Sequence, residues 1–138
     1  MEKTVITIQT TITASIDKTW ECWTLPAHIT GWNFASTDWC CPSASNNVEP
    51  GGTFSWRMEA KDGSFGFDLN GTYQHVEVPS FLTYTLEDNR KVKVRFKQQG
   101  EHVQVTEKFE AETTNDVEMQ RVGWQAILDN FKRYVETQ

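Results

Sequence analysis

Two pairs of side chains in this sequence have the chemistry to exchange a proton. Glu107 could act with His75, and Asp38 with His28, because a carboxylate and an imidazole are common partners in acid–base catalysis. Both pairs are scattered along the chain, so the pattern has little specificity. The sequence contains no Gly-rich phosphate loop, Ser nucleophile elbow, H-E-x-x-H or Cys-x-x-Cys motif. We therefore assign no catalytic residue and favour binding over enzymatic activity.

The three cysteines, Cys22, Cys40 and Cys41, do not form a disulfide framework. An adjacent pair closes a disulfide only with strain. A metal site that combined them with His28 would need a fourth ligand and a recognisable spacing, and the sequence shows neither. We expect free thiols, no metal and no cofactor.

Glu107 lies in an apolar row. In "HVQVTEKFE" the two-residue period of a strand places Glu107 on one face with Val103, Val105 and Phe109. A charged carboxylate there is costly unless it is paired. Glu107 is therefore paired, neutral, or at the solvated end of its strand, and we expect a frayed edge or a bulge to turn it outward. His75 is expected to be exposed, near a bulge at Gly71.

Composition and charge limit the possible partners. The chain has 138 residues, enough for one domain (1–138), and a formal net charge of −6, which disfavours binding to a phosphate backbone. No apolar run reaches the roughly 20 residues that span a bilayer, and the start lacks the layout of a signal peptide. We expect a cytoplasmic protein that binds no nucleic acid and inserts into no membrane. The unusual feature of the composition is its content of large aromatic residues, with six Trp and eight Phe.

The elements that position these rings begin with a strand in "KTVITIQTTITAS". Ser15 then caps an amphipathic helix in which Ile16, Trp20 and Trp23 share a face. Pro26 either ends this helix or begins a second short one. Residues 31–50 read as a long loop that bears aromatic residues and contains at most one short edge strand.

A hairpin follows, in "GGTFSWRMEAKDGSFGF". Alternation places Phe54, Trp56 and Met58 on one face, "AKDGS" forms the turn, and Phe65 and Phe67 then face inward with Leu69. Three more strands continue the pattern. Their inward residues include Leu82, Tyr84, Leu86, Val92, Val94 and Phe96.

The final element is a long helix to Val135, for which Asn115 and Glu118 resemble a capping box. Its apolar arc contains Val117, Trp124, Ile127, Leu128, Phe131, Tyr134 and Val135. A second, narrow stripe on the opposite side contains Met119, Val122 and Ala126. Such a stripe is suited to a protein interface, a homodimer contact or packing beneath the N-terminal segment.

Four stretches, in this order, resemble the successive motifs of the START-like superfamily, also called SRPBCC: "PAHITGW", "VEPGGTFSWRMEAKDGS", "GTYQHVEVPSFLTYTLED" and "VGWQAILDNFKRYVE". They are most similar to the branch named for its homology to the C-terminal domain of the activator of the heat-shock protein 90 ATPase. The likeness covers nearly the whole chain.

The resemblance implies an α+β helix-grip fold, in which a curved antiparallel sheet of about seven strands grips the long C-terminal helix. One or two short helices follow the first strand. Members of the superfamily bind lipids, polyketides, hormones or other apolar molecules in a cavity between sheet and helix, and a few are cyclases. The branch name implies a stress-response role as a co-chaperone. We expect that role not to transfer, because the eukaryotic activator uses an N-terminal domain that has no counterpart here.

These observations predict a binding protein for an apolar or aromatic small molecule, with a fully filled core as the alternative. A chaperone activator and a cyclase or hydrolase that uses the same cavity are alternative functions. Trp56 and Trp124 should face one interior volume. The predicted gate residues are Trp32 and Trp39, which pack against the first helix if they do not gate. The predicted cavity wall consists of Phe54, Trp56, Phe65, Phe67, Tyr73, Tyr84, Phe96, Glu107, Trp124 and Phe131.

Overall fold

A computed structural model describes residues 4–138, in which seven strands and three helices follow one another. The strands are β1 (Val5–Ile12), β2 (Trp39–Asn46), β3 (Thr53–Ala60), β4 (Gly66–Glu77), β5 (Phe81–Leu86), β6 (Lys91–Gln99) and β7 (His102–Glu110). The helices are α1 (Ile16–Thr24), α2 (Pro26–Ile29) and α3 (Val117–Glu136).

All seven strands form one antiparallel sheet in the order β1-β7-β6-β5-β4-β3-β2. The sheet curls into a half-barrel around α3, and the two short helices follow β1. The α+β helix-grip fold predicted from the sequence is confirmed. An antiparallel sheet with one dry face needs a cover for that face, and α3 supplies most of it.

Side-chain caps define where the helices begin. The Ser15 hydroxyl accepts a hydrogen bond from the Lys18 amide at 3.2 Å and starts α1. Pro26 both follows the end of α1, at Thr24, and begins the second short helix, α2. The predicted cap of α3 was one residue too early.

The residue that caps α3 is Asp116, whose carboxylate accepts a hydrogen bond from the Met119 amide at 3.3 Å. Asn115, one residue before the cap, instead donates its side-chain N–H to Glu112. Val117, predicted to lie on the apolar arc, is 37% exposed at the first position of the helix.

The inward rows predicted from alternation form the core. Phe131, Leu128 and Val135 of α3 are completely or almost completely buried against them. The buried residues of the sheet include Ile6, Ile8, Phe54, Trp56, Met58, Leu82, Tyr84, Leu86, Val92, Val94, Phe96, Val103, Val105 and Phe109.

β4 has the predicted phase, since Phe67 lies opposite Met58 and Leu69 opposite Trp56, but the start of the strand is poorly covered. Phe65 precedes the strand and is 61% exposed, and Phe67 is 41% exposed. Both lie at the tip of the β3–β4 hairpin, where they contact each other at 6.1 Å and Trp39 at 6.0 and 6.2 Å. These rings form a partly exposed cluster at the edge of the core, which we call the aromatic tip (Trp39, Phe65 and Phe67).

Two irregularities also differ from expectation. The segment 31–50 contains one edge strand, β2, as expected, but this strand is eight residues long and has a bulge between Cys40 and Ser43. In β4 the bulge lies between Tyr73 and His75 and not at Gly71. Gly71 has another role: a Cβ there would lie 2.5 Å from the Phe54 ring and 2.8 Å from the Thr85 carbonyl oxygen.

Between Thr4 and Gln138, no helix combines the length and the apolar character required to cross a membrane. The three cysteines are free, with Cys22 and Cys41 buried.

We predict opposite effects for one substitution at two glycines. Gly71→Ala forces a methyl group against the Phe54 ring and the backbone of β5, and overpacking of this kind costs about 1–3 kcal/mol. Gly123→Ala in α3 meets no atom within 4 Å and should stabilise the fold by about 0.5–1 kcal/mol, since alanine is the better helix former. Urea denaturation of both variants measures the difference. Equal stabilities would contradict the close approach at Gly71.

Candidate functional site

A cavity of about 420 Å³ lies between the concave face of the sheet, α3 and the segment that follows α2. Its volume falls within the roughly 300–1,000 Å³ typical of small-molecule sites. The sheet contributes Trp56, Met58 and Tyr84, and α3 contributes Trp124 and Leu128. The wall is therefore mainly aromatic and aliphatic.

Five predicted wall residues meet at this cavity: Trp56, Phe67, Tyr84, Glu107 and Trp124. Trp56 and Trp124 come from opposite sides, so both indoles border one interior volume, as expected. Trp124 is fixed by a parallel stack on Phe109 of β7, with ring centroids 3.8 Å apart and an interplanar angle of 9°. Their role in ligand contact stays a prediction.

The other five predicted wall residues lie outside the lining. Phe54 stacks on Trp56 at 4.1 Å, and Tyr73 packs at 5.4 Å behind Phe54 and donates a hydrogen bond to the Asn46 side chain at 2.6 Å. Phe96 and Phe131 pack against Trp23, and Phe65 belongs to the aromatic tip. Four of these five therefore support the wall from behind.

The two predicted gate residues have different environments. Trp32 is buried, packs on Trp23 at 5.1 Å and on Phe131 at 4.7 Å, and donates its indole N–H to the Cys22 carbonyl at 2.8 Å. These contacts fix Trp32 as part of the wall. Trp39 is half-buried in the aromatic tip, where it contacts Phe67, which also lines the cavity.

Glu107 lines the cavity and is 5% exposed. The expectation that it turns outward is wrong, because it lies within β7, in register with Ile8 of β1 and Val94 of β6, without a bulge. It makes no hydrogen bond or ion pair with any residue from 4 to 138. Burial raises the pKa of the Glu107 carboxyl group to about 8. The group thus avoids the cost of a buried charge by staying protonated at neutral pH.

Tyr84 and Arg90 form the polar surroundings of Glu107. Burial raises the pKa of the Tyr84 hydroxyl well above its ordinary value, and the charges of Glu107 and Tyr73 add to this shift, while Arg90 opposes it. The Tyr84 hydroxyl has no hydrogen-bond partner within the described chain. Arg90 borders the same cavity and donates to Asp88 at 2.7 Å.

Three more wall residues carry N–H groups with no hydrogen-bond partner in residues 4–138: Trp23 and Trp56 at Nε1, and Asn33 at Nδ2. Each of these side chains is more than nine-tenths buried. Burial raises the pKa of the Cys41 thiol to about 11; the neighbouring Cys40 adds to this shift, and the Ser43 backbone and, least of all, the nearby Asn33 side chain oppose it. Sequence reasoning placed Trp23 on the apolar face of α1 but not in the wall. No signal in the sequence pointed to Asn33.

Gln120 fastens one rim of the cavity. Its side-chain carbonyl accepts a hydrogen bond from the Glu112 amide at 2.9 Å, and its N–H groups donate to the Glu112 carbonyl at 3.2 Å and the Asn115 carbonyl at 2.8 Å. The side chain is buried and borders the cavity. It ties the β7–α3 connection to the first turn of α3.

The two proton-transfer pairs considered from the sequence are not brought together. His75 is exposed, as expected, and lies 3.4 Å from Glu77, whereas Glu107 is enclosed in the cavity wall. His28 lies 2.7 Å from the Tyr134 hydroxyl, and Asp38 is exposed. Residues 4–138 contain no cluster of His, Cys, Asp or Glu that could hold a metal ion. The arrangement is suited to enclosing a molecule, and it offers no paired acid and base.

Comparison with known proteins agrees with the fold. The model of a family described as "Activator of Hsp90 ATPase homolog 1-like protein" matches residues 13–136. No curated protein matches the chain significantly.

Several solved structures share the architecture. The solution structure of an AHSA1-like protein from Aeromonas hydrophila is 42% identical, covering 97% of this chain and 93% of that chain with a TM-score of 0.92. A protein from Cytophaga hutchinsonii is 45% identical, with coverages of 96% and 92% and a TM-score of 0.83. One from Nitrosomonas europaea shares the fold at 14% identity, with coverages of 96% and 94% and a TM-score of 0.83.

We predict that Glu107→Gln removes a pH-dependent loss of stability. Between pH 4.5 and 8 the folded state keeps the Glu107 proton that the unfolded state has released, so raising the pH favours unfolding. The variant should therefore gain stability over the natural protein by up to about 1.4 kcal/mol per pH unit across this range, levelling off above pH 8. Urea denaturation at several pH values measures the gain. The exposed Glu101→Gln variant is the control, and a Glu107 variant that follows the control would contradict the neutral buried state.

Proposed function

Because the chain belongs to the family of Activator of Hsp90 ATPase homolog 1-like proteins, within the START-like (SRPBCC) fold family, we propose that it binds an apolar or aromatic small molecule between its sheet and α3. The observation that carries the proposal is the cavity of about 420 Å³, with ring-lined walls and the buried carboxyl group of Glu107, which has no partner among residues 4–138. Ligand sites typically combine apolar walls with a few convergent polar groups.

The packing of the wall supports binding over a filled core. Protein interiors are close-packed, and voids much larger than a water molecule are few. Here the stack of Phe54 on Trp56 and the stack of Trp124 on Phe109 hold large flat surfaces on opposite sides of the space. A ring-bearing guest can lie against such surfaces without rearranging them, which reduces the cost of ordering the site on binding.

The lining also indicates an entrance. Phe67 and Met119 both border the cavity, yet they are 41% and 57% exposed. We place the mouth between them, with Trp39 of the aromatic tip beside Phe67 as the movable part of the gate. Trp32 is held by its hydrogen bond to Cys22 and belongs to the fixed wall.

We also place the protein in the cytoplasm as part of this proposal. Three free cysteines, two of them buried, suit a reducing compartment.

We predict that Trp124→Ala weakens ligand binding at least tenfold, because it removes the surface that faces Trp56. It should also destabilise the fold by about 2–3 kcal/mol, less than the 3–5 typical of a fully buried Trp, since Trp124 borders a void. Arg57→Ala is the control: Arg57 is on the outer face of β3, paired with Glu59 at 3.0 Å, and its loss should change stability by no more than about 0.5 kcal/mol and leave binding intact.

Native mass spectrometry and Trp fluorescence titration with a lipid and polyketide panel measure binding. Loss of binding in Arg57→Ala with intact binding in Trp124→Ala would overturn the cavity assignment.

A second proposed function is activation of a chaperone ATPase, and it is favoured by one observation. Met119 and Val122 of α3 are 57% and 61% exposed, and exposed apolar pairs of this kind occur in interfaces. Ala126, the third residue of the predicted stripe, is half-buried, so the stripe is short. A homodimer contact is the other use of this surface.

An ATPase assay with the host's heat-shock protein 90 separates these uses. If the surface docks on the chaperone, the chain raises the ATPase rate, and the double variant Met119→Ser, Val122→Ser loses the effect while keeping its fold. A homodimer is instead seen in sedimentation and is lost in the same variant. No stimulation at saturating protein ends the activator proposal.

A further inference from the structure

The polar groups that the cavity leaves unsatisfied are mainly donors, and this limits the chemistry of the guest. Within residues 4–138 the indole N–H groups of Trp23 and Trp56 and the side-chain N–H of Asn33 have no hydrogen-bond partner. The Tyr84 hydroxyl also lines the cavity and makes no hydrogen bond to these residues. Buried donors without partners cost free energy, and a ligand that supplies acceptors recovers part of it. By contrast, the amide of Gln120 has partners for both its donors and its acceptor.

Glu107 adds one more donor when it carries its proton. It faces the cavity from the middle of β7, and Tyr84, whose hydroxyl it influences electrostatically, lies on the same face of the sheet. A protonated carboxyl group donates through its O–H. The cavity wall thus offers two donors, one from β7 and one from β5, with β6 between them.

We propose that Glu107 and Tyr84 donate hydrogen bonds to carbonyl-type oxygens of an uncharged, ring-bearing ligand, so that the cavity selects ketones, esters or amides over hydrocarbons, organic cations and carboxylates. This inference rests on the proposed binding function.

The charges around the cavity argue against ionic guests. The titratable and charged groups of its lining are Glu107 of β7, Tyr84 of β5, Arg90 between β5 and β6, and Glu112 between β7 and α3; α1, β3 and α3 contribute none. A carboxylate guest would meet Glu107 and Glu112, and the Arg90 charge is already compensated by Asp88. A cation would require Glu107 to ionise inside an apolar wall, and it would leave the unpaired N–H groups without acceptors.

The selection depends on pH, because the Glu107 carboxyl group donates only while it is protonated. Burial places its pKa at about 8. Above that value the group becomes a buried acceptor with a negative charge, which repels a carbonyl oxygen. Affinity for the ketone should therefore be constant below pH 7 and fall about tenfold between pH 7 and pH 9.

Four probes with one ring system test the selection: 2-acetylnaphthalene, 2-ethylnaphthalene, 1-(2-naphthyl)ethylamine and 2-naphthoate. Isothermal titration calorimetry gives their affinities at pH 7. In NMR spectra of the ¹⁵N-labelled chain, shifts of the indole N–H resonances report contact with the cavity wall. We expect 2-acetylnaphthalene to bind at least fivefold more tightly than 2-ethylnaphthalene, and both to bind more tightly than the two ions.

Variants separate the role of Glu107 from that of the cavity as a whole. Glu107→Leu should lose the preference for the ketone over the hydrocarbon. Glu107→Gln keeps a donor and should keep that preference, but its affinity should no longer change between pH 7 and pH 9. Glu101→Gln, the same chemical change at an exposed turn, should follow the natural protein at every pH.

The results distinguish a failure of the donor inference from a failure of the binding function on which it rests. If 2-ethylnaphthalene binds as tightly as the ketone, or if the amine or the carboxylate binds best, the donor inference is overturned while the binding function stands. If no probe shifts the indole resonances at any pH between 6 and 9, the binding function itself fails. An unchanged tenfold pH effect in Glu107→Gln would assign the titration to another group and overturn the role of Glu107.

Discussion

Four aromatic rings meet where α1, the sheet and α3 come together, and the rest of the molecule depends on this cluster. Trp23 of α1 contacts Phe96 of β6 at 5.7 Å and Phe131 of α3 at 4.9 Å, both edge-to-face, and Trp32 closes the group against Phe131 at 4.7 Å. Edge-to-face contacts have preferred angles as well as distances. The cluster therefore helps to hold α3 in place over the sheet, and two of its rings, Trp23 and Trp32, also line the cavity.

The sequence predicted most of the scaffold for a simple physical reason. A dry face on an antiparallel strand imposes strict alternation, so rows such as Phe54 and Trp56 or Val92 and Val94 are visible without knowledge of the fold. Alternation does not show how far along a hairpin the rest of the core covers its inward face. Phe65 and Phe67 continue the inward pattern in sequence, but they lie at a tip on the edge of the core, where they are partly exposed.

The candidate site was less predictable, because it depends on distances between side chains that are far apart in sequence. The inward direction of Trp56 and Trp124 followed from the period of each element, whereas the volume between them follows from the curvature of the sheet. Glu107 was expected to point outward because burying a charged carboxylate is costly. In its neutral form the carboxyl group can stay in the apolar row, and the strand remains regular. Asn33 lies in an irregular segment, where no period predicts a direction.

The three hydrogen bonds of Gln120 have a consequence for how a guest would come and go. They clamp the β7–α3 connection from inside, so that this rim is stiff. The opposite rim consists of rings that touch one another only through weak contacts at about 6 Å. If the cavity binds a guest as proposed, fluctuations of its wall would be concentrated on one side, and passage would depend on rotations of aromatic side chains more than on movement of a helix. Residence time and affinity would then depend on different residues, so that evolution could tune release by changing the tip alone, without altering the chamber.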